Sequence, residues 1–194
     1  MTPFPWTDLA IIVVLVVING VFAMSELAIV SAKTSTLEAK AEAGSKSART
    51  AIALAANPGK FLSTVQIGIT LIGIVAGAYS GASLGGPVGE RMEALGLPPE
   101  YADEAGFAVV IALTTYLSVV VGELVPKQLA LRSAVPLALI MARPMALLSR
   151  IGAPLVWLLD SSSAVIFNLF GLRRTDEATV TAEELRMIFA EATR

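Results

Sequence analysis

From Leu9 to Val30 the chain runs for twenty-two residues with a single ionisable side chain, Glu26, and that stretch decides the class of fold. At 1.5 Å per residue a helix of this length covers the roughly 30 Å of hydrocarbon in a bilayer. Soluble domains carry roughly 25% charged residues. This chain of 194 residues carries 15%, with 55% hydrophobic residues and a mean hydropathy of +0.74. Too little charge is left to solvate a globule of that size. The sequence therefore reads as an all-α membrane protein whose first partner is the lipid bilayer. The opening MTPFPWTD has no basic residue and so lacks the n-region of a secretory signal.

Three spans are expected, at about 8–31, 61–80 and 105–126, joined by two connections of opposite character. Residues 33–57 are Ala-rich and charged and open with a capping box at Ser35 and Glu38, which predicts helix outside or along the membrane. Residues 80–105 are rich in Gly, Pro and acids and predict a connecting loop. After Pro126, residues 133–171 are apolar again but are broken by Arg143, Arg150 and Asp160, and hydropathy alone would count 151–170 as a fourth span. Charge asymmetry argues against it. The first connection holds Lys33, Lys40, Lys46, Arg49 and Lys60, whereas the second holds only Arg91. Basic loops stay cytoplasmic. With three spans the N-terminus is outside, the C-terminus is cytoplasmic, and of 14 basic residues only Arg91 is outside. Residues 133–171 are then an interfacial juxtamembrane helical belt. Residues 176–194, with a second capping box at Thr181 and Glu184, read as the start of a connector to a further domain.

Absences narrow the chemistry. The chain has no Cys and no His, which excludes disulfides, thiol catalysis, Ser-His-Asp triads and the commonest transition-metal ligands. Any metal here is held by oxygen, and oxygen suits hard cations such as Mg²⁺, Ca²⁺ or Na⁺. A net charge of −2 points to no nucleic-acid partner. No nucleophile–base pair suggests an enzyme. The segment Gly81-Ala82-Ser83-Leu84-Gly85 fits the G-x-S-x-G nucleophile elbow by letters alone.

Two carboxylates, Glu26 and Glu123, fall inside predicted spans, where ionisable groups are costly and usually functional. No basic residue neighbours either of them within a span. Glu26 lies seven residues before Lys33, Gln66 six after Lys60, and Glu123 four before Lys127. These spacings place the three at similar depth, on the order of 6–10 Å inside the inner boundary. Asn19, two turns from Glu26, and Thr70, one turn from Gln66, extend a polar track towards mid-membrane. In GELVPK (122–127), Pro126 has no N–H, so the Gly122 carbonyl loses its helical partner beside the Glu123 carboxylate. With Ser25, Asn19, Gln66 and Thr70 this makes a candidate oxygen cradle for a cation. Blander roles stand beside it. Ser63, Thr64, Thr114 and Thr115 are also expected to bond back to their own helices, Glu26 could mark an interface, and Gln66 could join helices. Gly73, Gly77 and Gly81 share a face suited to close packing within or between protomers. The outer acids Glu90, Glu93, Glu100, Asp103 and Glu104 read as a solvated loop.

At INGVFAMSELAIVSA (18–32), FLSTVQIGITLIGI (61–74) and GELVPKQLAL (122–131) the chain resembles the membrane domain, also called DUF21, of the CNNM/CorC family of magnesium transporters. The resemblance covers essentially the whole chain, with residues 1–175 as the membrane domain. It implies a homodimer in the cell's inner membrane with three spans and a belt in each protomer. It also implies cytosolic CBS domains that bind ATP-Mg²⁺, domains not present in this chain. The implied activity is Mg²⁺ export, proposed to be coupled to Na⁺ entry, with a dehydrated Mg²⁺ between the helices. Carried over by motif, Ser25, Gly122 and Glu123 are the ion ligands, with Gln66 or Thr70 contributing from the second span. Asn19, Glu26, Ser63 and Thr115 would line the ion path or a Na⁺ site, and Pro126, Gly73 and Gly77 would shape the helices. One departure stands out: Gly68-Ile69 replaces a G-N pair and removes an amide oxygen. Two other readings stay open, a non-transporting Mg²⁺-sensing membrane protein and a transporter of another cation.

Overall fold

A computed structural model describes residues 3–170, and the connector expected at 176–194 lies outside them. The described residues are helical almost throughout: α1 (Trp6–Ser31), α2 (Thr34–Glu42), α3 (Lys46–Ala56), α4 (Pro58–Ala94), α5 (Pro99–Val119), a π-turn (Val120–Leu124), α6 (Val125–Arg132) and α7 (Ala134–Leu169). α5, the π-turn and α6 follow one another without a break. Four helices are thus long and apolar enough to cross a membrane: Trp6–Ser31, Pro58–Ala94, Pro99–Arg132 and Ala134–Leu169. The chain divides into two compact units, up to Ala153 and from Pro154. All packing below belongs to the first; the described part of the second is the remainder of α7.

The loop expected over 80–105 is absent. α4 continues to Ala94, only 95–98 leave the helix, and α5 begins at Pro99. Gly and Pro content misled because tertiary packing overrode propensity. Gly81, Gly85 and Gly89 recur at one-turn spacing, and that face of α4 lies against α5: a Cβ added at Gly81 would meet the Phe107 ring, and one at Gly89 the Ala102 carbonyl. The real turn is made by Gly96 at φ +103, whose N–H donates to the Glu93 carbonyl while the Leu97 N–H reaches Met92. That pattern is a Schellman stop. The capping box at Ser35 is also absent, because α2 starts at Thr34 with Lys33 as its cap; Ser45 does cap α3, its hydroxyl accepting from the Ala48 N–H.

Two apolar clusters hold the ends. At one, Ile29, Leu37, Ala51, Phe61, Val65, Ala138, Ala142 and Met145 join α1, α2, α3, α4 and the first part of α7. At the other, Ile12, Leu84 and Val110 join α1, α4 and α5, and the Tyr79 hydroxyl donates to Asp8 Oδ1 at 2.6 Å. The basic helices α2 and α3 therefore share the first cluster with α7.

The glycine ladder gives a differential prediction. At Gly106 an added methyl would be driven into the backbone of Gly85 and Gly89 across the α4–α5 crossing, whereas Gly73 and Gly77 have nothing within 4 Å. Gly106→Ala is expected to cost about 1–3 kcal/mol by overpacking. Gly73→Ala should be neutral or stabilise by up to about 1 kcal/mol through helix propensity. Thermal midpoints in one detergent compare them; equal midpoints would contradict the tight crossing.

Candidate cation site

The site begins where α1 crosses the π-turn. Both backbones come close because each supplies a glycine. A Cβ at Gly20 would stand 2.9 Å from the Pro126 ring and 3.2 Å from the Val121 carbonyl, and one at Gly122 would stand 3.2 Å from the Val16 carbonyl. Pro126 explains the irregular turn, since without an N–H it cannot continue the α-helical ladder. The carbonyl it frees is not left open, however. Asn19 Nδ2 donates to the Gly122 carbonyl at 3.0 Å from 103 residues away. This corrects the expectation of an unpartnered Gly122 oxygen. The vacancy moves one atom along: Asn19 is 6% exposed, and its Oδ1 is a buried acceptor without a hydrogen-bond partner. A carbonyl oxygen has two lone pairs, so Gly122 can serve Asn19 and a further partner at once.

The two carboxylates also find company that spacing did not disclose. Glu123 Oε1 accepts from Lys127 Nζ at 2.7 Å, the side chains of Glu123 and Lys127 being 40% and 35% exposed. Glu26 and Lys127 line one cleft of ≈310 Å³ with Leu27, Val30 and Leu62. No basic residue was expected beside either acid within a span, and the partner found, Lys127, stands just past the third expected span. The i,i+4 spacing of Glu123 and Lys127 was the available signal.

Ser25, adjacent to Glu26, is fully buried and donates to its own helix at the Val21 carbonyl, 2.6 Å away. Its lone pairs stay available as acceptors. The second-span residues are placed differently. Thr70 donates back to the Gln66 carbonyl at 2.9 Å, and both residues lie on an exposed face of α4. Ser63 is half-buried and Thr115 exposed, and none of these four lines the Glu26–Lys127 cleft. Thr64 bonds back to Lys60 as expected. Ile69, where an amide was missed, packs against the apolar cluster around Phe61 and Val65. The structure thus brings together Asn19, Gly122 and Pro126, and next to them Glu26, Glu123 and Lys127. It leaves Gln66, Thr70 and Thr115 apart.

Chemically this is an oxygen-only arrangement with few charges. Among the described residues no group of three or more His, Cys, Asp or Glu gathers to hold a metal. An ion here would meet one or two carboxylates and neutral oxygens, the pattern Mg²⁺ accepts while keeping some water. The G-x-S-x-G letters carry no chemistry: residues 81–85 are in mid-helix, and Ser83 donates to the Tyr79 carbonyl.

Residues 10–194 match the family model described as the cyclin M transmembrane N-terminal domain, CNNM. UPF0053 protein sll0260 of Synechocystis is 42% identical over 184 residues, covering 95% of this chain and 41% of the relative. UPF0053 protein YhdT of Bacillus subtilis is 36% identical over 192 residues, with 95% and 41% covered. A protein of Escherichia coli named polyamine export protein is 24% identical over 178 residues, with 92% and 40% covered. The chain spans about two-fifths of the length of these relatives.

Proposed function

Because the chain belongs to the cyclin M transmembrane-domain family and is a multi-pass membrane protein, we propose that it exports Mg²⁺ across the inner membrane in exchange for Na⁺. The observation that carries this reading is the meeting of α1 with the π-turn, where Asn19, with its buried, unpartnered Oδ1, is bonded to the Gly122 carbonyl one residue before Glu123. A buried acceptor without a donor is a standing cost that a cation or its water removes. Ser25, Gly122 and Glu123 hold the ion, Asn19 lends its oxygen, and Glu26 lines the way in. Gln66 and Thr70 reach the ion only if α4 turns, since they face outward here.

The topology that fits this reading has three spans, an outer N-terminus and a cytoplasmic C-terminus. α7 is long enough to cross, yet Arg143 and Arg150 are exposed on it and its first part packs with the basic helices α2 and α3. That arrangement supports an inner belt. The assembly is a homodimer, as the likeness to the family implies. Regulation by ATP would come from cytosolic domains of the kind the family carries.

A second reading, transport of an organic amine, is favoured by the name of the Escherichia coli relative and by Ile69, which supplies no oxygen. Flux into proteoliposomes separates the two. Mg²⁺ movement driven by a Na⁺ gradient and unaffected by millimolar polyamine is the expected result. Polyamine flux without Mg²⁺ flux would establish the amine reading, and saturable Mg²⁺ binding with no flux of either would make the protein a sensor.

A further inference from the structure

Lys127 is the one group of the site that the transport reading leaves idle, and its position is specific. The ammonium is bonded to Glu123 Oε1 at 2.7 Å and shares a cleft with Glu26 of the neighbouring helix. An i,i+4 pair on an open helix surface would be a minor stabiliser. Here Glu26 of α1 lines the same cleft as Lys127, so the group is a cluster built by two elements. Two carboxylates and one ammonium leave that cluster one positive charge short. Uncompensated charge inside a membrane protein is costly, so the deficit selects what can join.

We infer that Lys127 is a tethered counter-ion that yields Glu123 to a divalent cation and returns to it when the divalent ion leaves. The inference rests on the transport reading and extends it. With Lys127 in place, one monovalent cation beside Glu26 makes the cluster neutral. With Lys127 withdrawn, one divalent cation between the two carboxylates does the same. The four-carbon stem allows this, because a lysine one turn from the membrane boundary can carry its ammonium into water while the stem stays in apolar surroundings. One lysine thereby gives the same carboxylates two neutral states, one for each partner of an exchange. It also keeps the empty carrier from holding two bare carboxylates.

The test is Mg²⁺ titration of the purified chain by calorimetry, with and without Na⁺, in wild type, Lys127→Gln and Lys127→Arg. Lys127→Gln removes the internal competitor, so Mg²⁺ should bind about fivefold tighter, the upper end of what a partly exposed ion pair contributes. Na⁺ should compete less well in that variant, because one monovalent ion no longer neutralises the cluster. Lys127→Arg keeps the charge, should stay near wild type, and controls for folding. Unchanged or weaker Mg²⁺ affinity in Lys127→Gln, or Na⁺ competition as effective as in wild type, would overturn the inference while leaving the ion site standing. In wild type, labelling of Lys127 by an amine-reactive reagent, read by mass spectrometry, should rise on adding Mg²⁺; labelling indifferent to Mg²⁺ would also overturn it. No Mg²⁺ binding to wild type would instead sink the transport reading, and this inference with it.

Discussion

Glu123→Ala is expected to abolish Na⁺-driven Mg²⁺ flux in proteoliposomes while the protein still folds. The side chain is partly exposed and its bond to Lys127 joins neighbours on one stretch of helix, so its removal opens no cavity in either apolar cluster. The stability change should stay within about 1 kcal/mol, as for other exposed ion pairs. The effect on transport is far larger. Without Glu123 the π-turn offers the ion neutral oxygens, and the one remaining carboxylate, Glu26, shares its cleft with the Lys127 ammonium, so a divalent ion is poorly held. Flux should fall at least a hundredfold, which corresponds to about 2.7 kcal/mol in the free energy of the bound or transition state. Glu123→Gln, which keeps size and one oxygen, should recover little. A Glu123→Ala protein that transports normally would remove the site from the account.

Asn19→Leu carries the second large effect, and this one falls on stability as well as function. The substitution deletes the donor to the Gly122 carbonyl and the buried Oδ1 together, in a spot 6% exposed. Because Pro126 supplies no N–H, the ordinary α-helical donor cannot take its place, and leaving the buried carbonyl under-satisfied costs about 1–3 kcal/mol. Leu is close to Asn in size but carries a branched apolar end where the backbones of α1 and the π-turn nearly touch. The expected result is a lower thermal midpoint together with loss of Mg²⁺ protection against heat. Asn19→Asp separates the two roles. It also lacks the donor, yet it places a carboxylate against a carbonyl, an arrangement that a cation relieves. Mg²⁺ should raise its thermal midpoint more than it raises that of wild type. An Asn19→Leu protein as stable as wild type and still stabilised by Mg²⁺ would show that the Asn19–Gly122 bond supports neither fold nor site.

How much of this was legible in the chain follows from the range of each interaction. The first span is unmistakable because it depends only on composition over twenty-two consecutive residues. Pro126 and the carbonyl it frees were readable too, since a missing N–H acts within one helical turn. What caps that carbonyl was not, because the donor is 103 residues distant and only packing brings it there. The stretch around Gly81 and Gly89 misled for a related reason. Glycine and proline predict a loop when judged singly, while glycines four apart on a face pressed against another helix stabilise a close crossing. The spacing was visible, but the partner on α5 that gives it meaning was not. Lys127 shows a smaller failure: treated as a flank that marks the membrane boundary, it proves to be a partner of the very carboxylate it was used to locate. Counting along each helix grouped Glu26 with the GELVPK segment, and Glu26 does share a cleft with Lys127. Which face a residue takes was not legible, and Gln66 and Thr70 lie on an exposed face of α4, outside that cleft.

Transport as proposed depends on Mg²⁺ being held where Glu123 meets the π-turn. Calorimetric titration of Mg²⁺ into the purified chain, wild type against Glu123→Ala, each repeated in excess Na⁺, tests it most directly. Saturable Mg²⁺ binding to wild type that vanishes in Glu123→Ala and weakens in Na⁺ is the predicted result. Binding that persists unchanged in Glu123→Ala, or no binding to wild type, would contradict it.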